Sequence, residues 1–245
     1  MKVEGCTALV TGGNRGIGQG FVEELIDAGA KKVYVGSRNP DDIPDTYAEY
    51  GDKIEIVPLD ISNPDQVSAA AKKAQDVTLL VNNAGVFHMS TLMTAPTMDD
   101  MRSEMEVNFF GTMSMCRSFA PIIENNGGGA IVNVLSAGGI VAVPNMGGYS
   151  PSKFAMRAAS DCMRAELRSK NIHVAALIVG SVKTRMAAHI KNMKQALPRD
   201  IGKAGIIAVE NKINEHDTDP HAVSVRAFLA RDPHGLAESM AQRVS

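Results

Sequence analysis

Short apolar runs alternate along the chain with longer stretches in which apolar residues recur every three or four positions. The runs at residues 6–10, 32–36, 53–58, 77–81, 130–135 and 172–179 predict six buried strands, and the stretches between them predict helices. Runs that are apolar on both faces are typical of parallel strands covered by helices on both sides. We therefore predict an α/β fold with a right-handed, doubly wound parallel sheet, in a single domain over residues 1–245.

One helical stretch, residues 97–124, contains a polar side chain within its apolar pattern. Its many apolar residues predict a core or a subunit interface, but Asn108 lies among them. A buried amide that lacks hydrogen bonds costs a few kcal/mol. We therefore expect Asn108 to hold a water molecule or a local backbone irregularity near the ligand crevice.

The chain after the sixth strand differs in pattern from the first half. Residues 186–200 have the amphipathic spacing of a lid, with its apolar positions at Met186, His189, Ile190, Met193 and Leu197. The tail at 201–245 predicts a helix at 222–231, a last helix and, at most, a short seventh strand near 212–214. We expect 1–135 to be mainly cofactor-binding and 136–200 to carry catalysis and the lid.

A glycine-rich loop, TGGNRGIG, joins the first strand to the first helix at residues 11–18. Such loops let the backbone approach a pyrophosphate that lies at the positive end of the helix. The glycine spacing here is G-x-x-x-G-x-G, and a tight turn without a ligand is the alternative interpretation. We favour a dinucleotide site in a Rossmann fold, with contacts from Gly12, Asn14, Arg15, Gly16, Ile17 and Gly18.

The residues after the second strand indicate which dinucleotide binds. A site for NAD usually has Asp or Glu here, to bind the ribose 2′-hydroxyl, but this chain has Ser37 and Arg38. A guanidinium binds a 2′-phosphate, which an acid would repel. Arg15 is a second cation that can converge on the same phosphate. The sequence therefore predicts NADP(H) as the cofactor.

Three further strand ends supply candidate cofactor contacts. Asp60 and Ile61 follow the third strand and could bracket the adenine; alternatively, Asp60 only begins a turn before the next helix. The fourth strand ends in Asn82, Asn83, Ala84 and Gly85. Small residues there would let a cofactor lie against the strand end, and Asn82 could also tie neighbouring strands together. Gly180, Val182 and Thr184 follow the sixth strand in the same way.

Proton chemistry is predicted between residues 136 and 153. Ser136 follows the fifth strand, while Tyr149 and Lys153 are one helical turn apart at the start of a helix. An ammonium beside a phenol favours the phenolate, although a Tyr-x-x-x-Lys spacing also arises by chance. His88 is another candidate base, but we assign it to the pocket rim because no carboxylate partner is evident.

Composition excludes several function classes. The net charge of −2 gives no indication of a nucleic-acid or membrane partner. We expect no signal peptide and no transmembrane helix. The three cysteines, Cys6, Cys116 and Cys162, have no metal-like spacing, and we predict buried free thiols, no metal, and a cytoplasmic location.

The motifs together resemble the short-chain dehydrogenase/reductase family, in its compact NADP(H)-dependent branch of about 250 residues. The resemblance covers residues 5 to about 186. It implies that Tyr149 is the acid/base, that Ser136 orients the carbonyl, that Lys153 binds the nicotinamide ribose and lowers the tyrosine pKa, and that Asn108 supports a proton-relay water. It also implies that Thr184 binds the carboxamide and makes Asp60 an adenine contact.

Two features depart from that family. Val179 stands where the family usually has proline before Gly180, and we expect cofactor binding to survive because the glycine is retained. The tail lacks the usual Asp-Gly-Gly turn. This change leaves a homotetramer open, while a homodimer through the two long helices remains the expectation.

The resemblance implies an NADPH-dependent carbonyl reductase or alcohol dehydrogenase. Two alternatives remain: a non-catalytic NADP-binding sensor or regulator, and a nucleotide-sugar epimerase or dehydratase, whose larger substrate domain this chain has no room for. The substrate wall is predicted to be mostly apolar, which favours a small apolar carbonyl or alcohol. Its expected members are Phe87, His88, Met89, Gly138, Val141, Val143, Asn145 and Met146.

Overall fold

A seven-stranded parallel sheet forms the centre of the molecule. The computed structural model describes residues 1–190 and 194–242. Within them the sheet has the strand order β3-β2-β1-β4-β5-β6-β7, and every pair is parallel. The strands are β1 (Thr7–Thr11), β2 (Lys32–Ser37), β3 (Ile54–Pro58), β4 (Leu79–Asn82), β5 (Gly129–Val134), β6 (Ile172–Ile178) and β7 (Glu215–Asp217).

Helices cover both faces of this sheet. They are α1 (Gly16–Asp27), α2 (Pro64–Lys73), α3 (Asp99–Met105), α4 (Thr112–Asn125), α5 (Tyr149–Glu166), α6 (Pro198–Glu210), α7 (Pro220–Arg231) and α8 (Pro233–Ala241). The predicted doubly wound α/β fold in a single domain is confirmed. The strand order reverses between β1 and β4, and the crevice outside the carboxyl ends of the strands at such a point is where these sheets bind ligands.

Successive strand residues point to opposite faces and build two apolar layers. Leu9 and Leu80 pack with α2, α4 and α5 on one face, whereas Val10 and Val81 pack with α1 and α6 on the other. On the second face α1 and α6 touch closely, because a Cβ at Gly20 would lie 2.4 Å from the backbone of Pro198. The close contact fixes α1, the helix that follows the glycine loop.

The helical stretch predicted over 97–124 contains a change of winding. A π-helical turn, Glu106–Gly111, lies between α3 and α4, and Asn108 is buried within it. The expected backbone irregularity at Asn108 is therefore present. π-Helical turns occur frequently at functional sites.

The tail is attached to the rest of the sheet. β7 lies at Glu215–Asp217 and pairs with β6, slightly later than the predicted 212–214. Glu215 forms ion pairs with Arg157 of α5 and with Arg226 of α7. Asp219 accepts hydrogen bonds from two N–H groups in the first turn of α7 and from Gly180 N at 2.7 Å. The tail therefore contacts both α5 and the loop after β6.

The cysteine prediction is wrong at one of the three positions. Cys6 and Cys116 are buried free thiols, and burial raises the pKa of each to about 12. Cys162 is exposed, because it lies on the outer side of α5. In the described residues, no helix has the length and apolar character needed to span a bilayer.

Candidate active site

A cavity of about 580 Å³ opens at the carboxyl edge of the sheet, around the β1/β4 reversal. Loops from six strands contribute to its wall, so residues far apart in sequence meet there. Of the predicted site residues, those that line it are Gly12, Asn14, Arg15, Gly16, Ile17, Arg38, Asp60, Ile61, Ala84, Gly85, Ser136, Tyr149, Lys153, Gly180, Val182 and Thr184.

The glycine loop presents backbone N–H groups to this cavity. Gly12 and Gly16 have positive φ values of 62° and 55°, which glycine adopts without strain. α1 begins at Gly16, and the residue before it, Arg15, provides no side-chain cap. The N–H groups of the first helical turn therefore remain available to an anion, and the helix dipole favours negative charge there.

Two guanidinium groups lie on the adjoining wall. Arg38 is exposed and has no ion-pair partner among residues 1–190 and 194–242. Arg15 Nη1 lies 3.2 Å from Asp42 Oδ2, and Asn14 Nδ2 donates to the Asp42 carbonyl at 2.9 Å. Arg15 is thus already paired with a carboxylate, whereas Arg38 has no such competing partner in the described residues.

At the end of β4, Asn83 has a role that the sequence pattern did not indicate. Asn83 lines the cavity, and its Nδ2 donates to the carbonyls of Thr11 and Gly12 at 3.0 and 3.1 Å. These bonds hold the glycine loop against β4. The neighbouring pair of asparagines was the available signal, but periodicity does not tell which of the two faces the loop.

Gly18, Ser37 and Asn82 were predicted as cofactor contacts, but the structure places all three behind the cavity wall. A Cβ at Gly18 would lie 2.1 Å from Gly12 O, so Gly18 permits the tight loop. Ser37 is buried and donates to Asn39 O at 2.8 Å. Asn82 donates to Asn133 Oδ1 at 2.9 Å and so ties β4 to β5.

The structure of Asp60 is compatible with both of its interpretations, an adenine contact and the start of a turn. It lines the cavity, yet its Oδ1 accepts from Ser62 N at 2.9 Å and from Ser62 Oγ at 2.6 Å. The carboxylate thus shapes the turn before α2. Its other oxygen has no hydrogen bond within the described chain, so it can still accept from a ligand.

Asn108 lies behind the wall and joins the β4 loop to α5. Its Oδ1 accepts from Val86 N at 2.8 Å, and its Nδ2 donates to Val86 O at 3.0 Å and to Ser152 Oγ at 3.1 Å. A Cβ at Gly85 would lie 2.9 Å from Asn108 Oδ1 and 3.7 Å from Lys153 Nζ. The amide therefore fixes the backbone beside Lys153.

Ser136, Tyr149 and Lys153 converge on the same cavity as the glycine loop. Tyr149 is the first residue of α5, and its ring lies 4.9 Å from the Phe87 ring. Lys153 Nζ is 5.6 Å from the centre of the tyrosine ring and donates to Val134 O at 3.0 Å. Ser136 Oγ accepts from Gly138 N at 3.0 Å. A serine, a phenol and an ammonium thus surround one end of the cavity.

Comparison with known proteins identifies the family. The family model described as "short chain dehydrogenase" matches residues 6–195. The chain belongs to the short-chain dehydrogenase/reductase family. It is 30% identical over 241 residues to an uncharacterized oxidoreductase of Staphylococcus saprophyticus, which covers 94% of this chain and 97% of that protein.

Two solved structures of this family superpose closely on the chain. A short-chain dehydrogenase from Burkholderia cenocepacia in complex with NADP has a TM-score of 0.91 and 38% identity, over 98% of this chain and 99% of that one. A 3-ketoacyl-(acyl-carrier-protein) reductase from Brucella melitensis complexed with NADH has a TM-score of 0.81 and 26% identity, over 88% and 96%. The chain is thus an oxidoreductase of this family, and dinucleotide-bound relatives share its fold.

The environment of Tyr149 disfavours the phenolate in this short-chain dehydrogenase. Burial is the main reason that the pKa of Tyr149 is raised; the hydrogen bond with Ser136 opposes the rise, and the negative charge of Glu104 adds to it. Lys153, which the family resemblance expects to lower this pKa, is not among these causes; it is itself buried, and burial lowers its own pKa to about 8. A positive charge near the phenol would favour its ionisation.

The loop after β6 keeps a backbone shape that tolerates no side chain at Gly180. A Cβ there would lie 2.3 Å from Asp219 Oδ1. Val179, in place of the usual proline, is buried and accepts from Ala137 N at 2.8 Å. The Thr184 methyl lies over Gly16, 3.4 Å from the position of a Cβ at that glycine. This departure from the family pattern leaves the loop in place beside the cavity.

The predicted substrate wall is only partly present. Of the predicted wall residues, Phe87 lines the cavity, and Met186 of the predicted lid does so too, together with Val86 and Ala187. His88 points away from the cavity, with its Nε2 3.1 Å from Ser103 Oγ. Met193 lies outside the described residues, and His189 approaches Phe87 with ring centres 6.1 Å apart. Predicted wall residues that do not line the cavity are Met89, Gly138, Val141, Val143, Asn145 and Met146.

Lys153→Met is expected to stabilise the ligand-free protein at pH 7 by roughly 1–2 kcal/mol. Lowering the Lys153 pKa from 10.5 to about 8 costs about 3 kcal/mol when the ammonium stays buried, and loss of the bond to Val134 O offsets part of this gain. The folded state binds fewer protons between these two pKa values, so wild-type stability rises with pH there. Urea unfolding at several pH values measures the effect.

The matched control for this prediction is Lys203→Met, which removes an exposed ammonium on α6. The gain from Lys153→Met should be largest below pH 8 and should vanish above about pH 10.5. A gain that does not change with pH would contradict the assignment of the stability difference to the buried charge.

Proposed function

We propose that this protein is an NADPH-dependent carbonyl reductase that also catalyses the reverse oxidation of an alcohol. The observation that carries the proposal is that Ser136, Tyr149 and Lys153 line the same cavity as the uncapped N-terminus of α1. One part of the cavity suits a dinucleotide phosphate, and the other suits proton transfer to an oxygen.

The residues present fit a dinucleotide. The first turn of α1 and the loop at Gly12 and Gly16 would hold the pyrophosphate, and Asp60 and Ile61 would flank the adenine. Thr184 would reach the carboxamide, and Lys153 would bind the nicotinamide ribose. Ala84 and Gly85 leave room for the cofactor beside β4, and Asn83 keeps the glycine loop in position.

Arg38 supports NADPH over NADH. It follows β2, where an acid would bind an unphosphorylated ribose, and it has no ion-pair partner in the described residues. The Burkholderia relative was solved with NADP, whereas the Brucella relative was solved with NADH. Family membership alone therefore does not set the preference, and the proposal rests on Arg38 with support from Arg15.

Proton transfer falls to the side chains at the other end of the cavity. NADPH, when bound, supplies a hydride to the carbonyl carbon. Tyr149 then donates its phenolic proton to the carbonyl oxygen, and Ser136 donates a hydrogen bond that orients this oxygen. Lys153 then passes a proton back to the phenolate. Asn108 holds the Val86 backbone in place, and a relay water beside this backbone would supply protons to Lys153.

The substrate is proposed to be a small apolar ketone or aldehyde. Val86, Phe87, Met186 and Ala187 supply apolar wall beside Tyr149, although Arg185 also lines the cavity. The 3-ketoacyl reductase from Brucella melitensis shows that a protein of this fold acts on a ketone. The lid segment that includes Met186 would close over such a substrate.

A homodimer through α4 and α5 is proposed as the assembly. Phe110 lies two residues before the start of α4, and Phe154 lies on α5. These large apolar side chains are 55% and 38% exposed, respectively. A homotetramer remains open.

We also propose a cytoplasmic location, because Cys6 and Cys116 are free thiols. We propose that residues 1–135 mainly bind the cofactor and that residues 136–200 carry the catalytic groups and the substrate lid. Residues 201–245 would support the site from outside the cavity.

A panel of carbonyl compounds, assayed by the absorbance of NADPH and of NADH, tests this function. We expect at least one apolar ketone or aldehyde to be reduced, with kcat/KM higher for NADPH than for NADH. The alternative function is a sensor that binds NADP without turnover. Tight NADPH binding with no oxidation of NADPH by any member of the panel would favour the sensor.

A further inference from the structure

Glu104 is a fully buried carboxylate on α3 whose charge is only half satisfied. Its Oε1 accepts a hydrogen bond from His88 N at 2.8 Å. Its Oε2 has neither solvent contact nor a hydrogen-bond partner in the described part of the chain. Burying an incompletely paired carboxylate costs several kcal/mol. Such costs concentrate at functional sites, and Glu104 lies beside one.

The unpaired oxygen of Glu104 lies against the start of the helix that carries Tyr149. A Cβ at Gly148 would be 2.7 Å from Oε2, so only glycine leaves room for the carboxylate there. Gly148 precedes α5 and provides no side-chain cap. The partial positive charge of the helix N-terminus therefore faces Glu104, which offsets part of the burial cost.

A second connection runs from Glu104 to Tyr149 through the loop after β4. The bond from His88 N to Oε1 fixes the backbone next to Phe87. The Phe87 ring lies 4.9 Å from the Tyr149 ring. Glu104 thus contacts the surroundings of Tyr149 at two places. One is Gly148, the residue before the tyrosine, and the other is the backbone beside Phe87, whose ring packs on the tyrosine ring.

The charge of Glu104 acts on the phenol directly. Burial is the main cause of the raised pKa of Tyr149, and Glu104 adds to the rise because a negative charge near a phenol disfavours the phenolate. Lys153 carries the opposing charge from the same helix. The polar and titratable side chains on the elements around Tyr149 are Ser136 after β5, His88 after β4 with Asp100 3.9 Å from its ring, Arg185 and His189 after β6, and Glu104 on α3.

We propose that Glu104 is a positioning residue for Tyr149, in which the buried charge opposes ionisation of the phenol and the bond to His88 N fixes the wall that packs on the tyrosine ring. This inference rests on the proposed role of Tyr149 as the acid/base. Since carbonyl reduction needs the protonated phenol and alcohol oxidation needs the phenolate, Glu104 makes the site better suited to reduction near neutral pH.

Glu104→Gln tests the charge, because glutamine retains the shape and an oxygen that can accept from His88 N. We expect the pH at which alcohol oxidation with NADP⁺ reaches half its maximum to fall by about one unit, since removal of the negative charge eases ionisation of Tyr149. Glu104→Met should give the same shift but should also raise KM, because the bond to His88 N is lost. Glu106→Gln, an exposed change two residues later, should shift nothing.

A direct titration provides a readout that does not need turnover. The near-ultraviolet absorbance of phenolate is followed against pH, with and without NADP⁺, and the signal of the matching Tyr149→Phe protein is subtracted to leave that of Tyr149. The same acid shift in Glu104→Gln supports the inference. An unchanged or higher midpoint overturns it, whatever the activity. Turnover that persists in Tyr149→Phe would instead remove the proposed function.

Discussion

Replacing Tyr149 with Phe is expected to lower kcat for carbonyl reduction by about 10³-fold, with the Kd for NADPH changed by less than about threefold. The change removes only the phenolic oxygen. The ring keeps its packing on Phe87 and its place 5.6 Å from Lys153 Nζ. The loss should therefore fall on the transition state and not on cofactor binding. Steady-state kinetics and fluorescence titration with NADPH measure the two quantities.

Tyr50→Phe is the matched control for this experiment. Tyr50 is a partly buried tyrosine that packs near Tyr47, away from the cavity. It should retain wild-type kcat and NADPH affinity. A Tyr149→Phe protein with kcat close to wild type would show that another group supplies the proton.

Exchanging Arg38 for Asp is expected to weaken NADPH binding by about 10²-fold, while NADH affinity changes by less than about threefold. The loss combines a missing charge-assisted hydrogen bond with repulsion between the new carboxylate and the 2′-phosphate. The new carboxylate can instead accept a hydrogen bond from the 2′-hydroxyl of NADH, which offsets the loss of the arginine for NADH binding. Arg15→Ala should have a smaller effect, because Asp42 already offsets part of the Arg15 charge. Calorimetric titration with both cofactors measures these changes.

The control for the charge change is Arg168→Asp, which alters an exposed arginine after α5 by the same two charges. It should leave both affinities unchanged. Arg38→Asp should also make NADPH binding less sensitive to salt, because one ionic contact is gone. Equal losses for NADPH and NADH would contradict a contact between Arg38 and the 2′-phosphate.

Most of the fold could be predicted from the sequence because parallel strands buried on both faces have a strong apolar pattern. The six predicted strands are present within a few residues of their predicted bounds. The π-helical turn at Asn108 was foreseen only as an unspecified irregularity, because side-chain pattern does not reveal the hydrogen-bond register of a helix. Cys162 was misplaced because its neighbours along α5 are mostly small or apolar.

The cofactor side of the site was more predictable than the substrate side. Glycine loops and strand ends fix backbone positions, so Gly12, Gly16 and Arg38 reach the cavity as expected. The wall at 138–146 depends on how an irregular loop folds, and it does not line the cavity. Glu104 resembles a solvated charge on an amphipathic helix in sequence, and its burial depends on the contact with Gly148, which no local pattern encodes.

Transfer of deuterium to a carbonyl substrate from NADPH that carries deuterium at both C4 positions of the nicotinamide tests the proposed function most directly. Mass spectrometry of the product alcohol reads the result, with Tyr149→Phe and NADH carrying the same label as the comparisons. We predict one deuterium on the carbinol carbon with the wild-type protein and NADPH, and little or none with Tyr149→Phe. Saturating NADPH binding without transfer to any carbonyl compound would contradict it and would favour a cofactor-binding sensor.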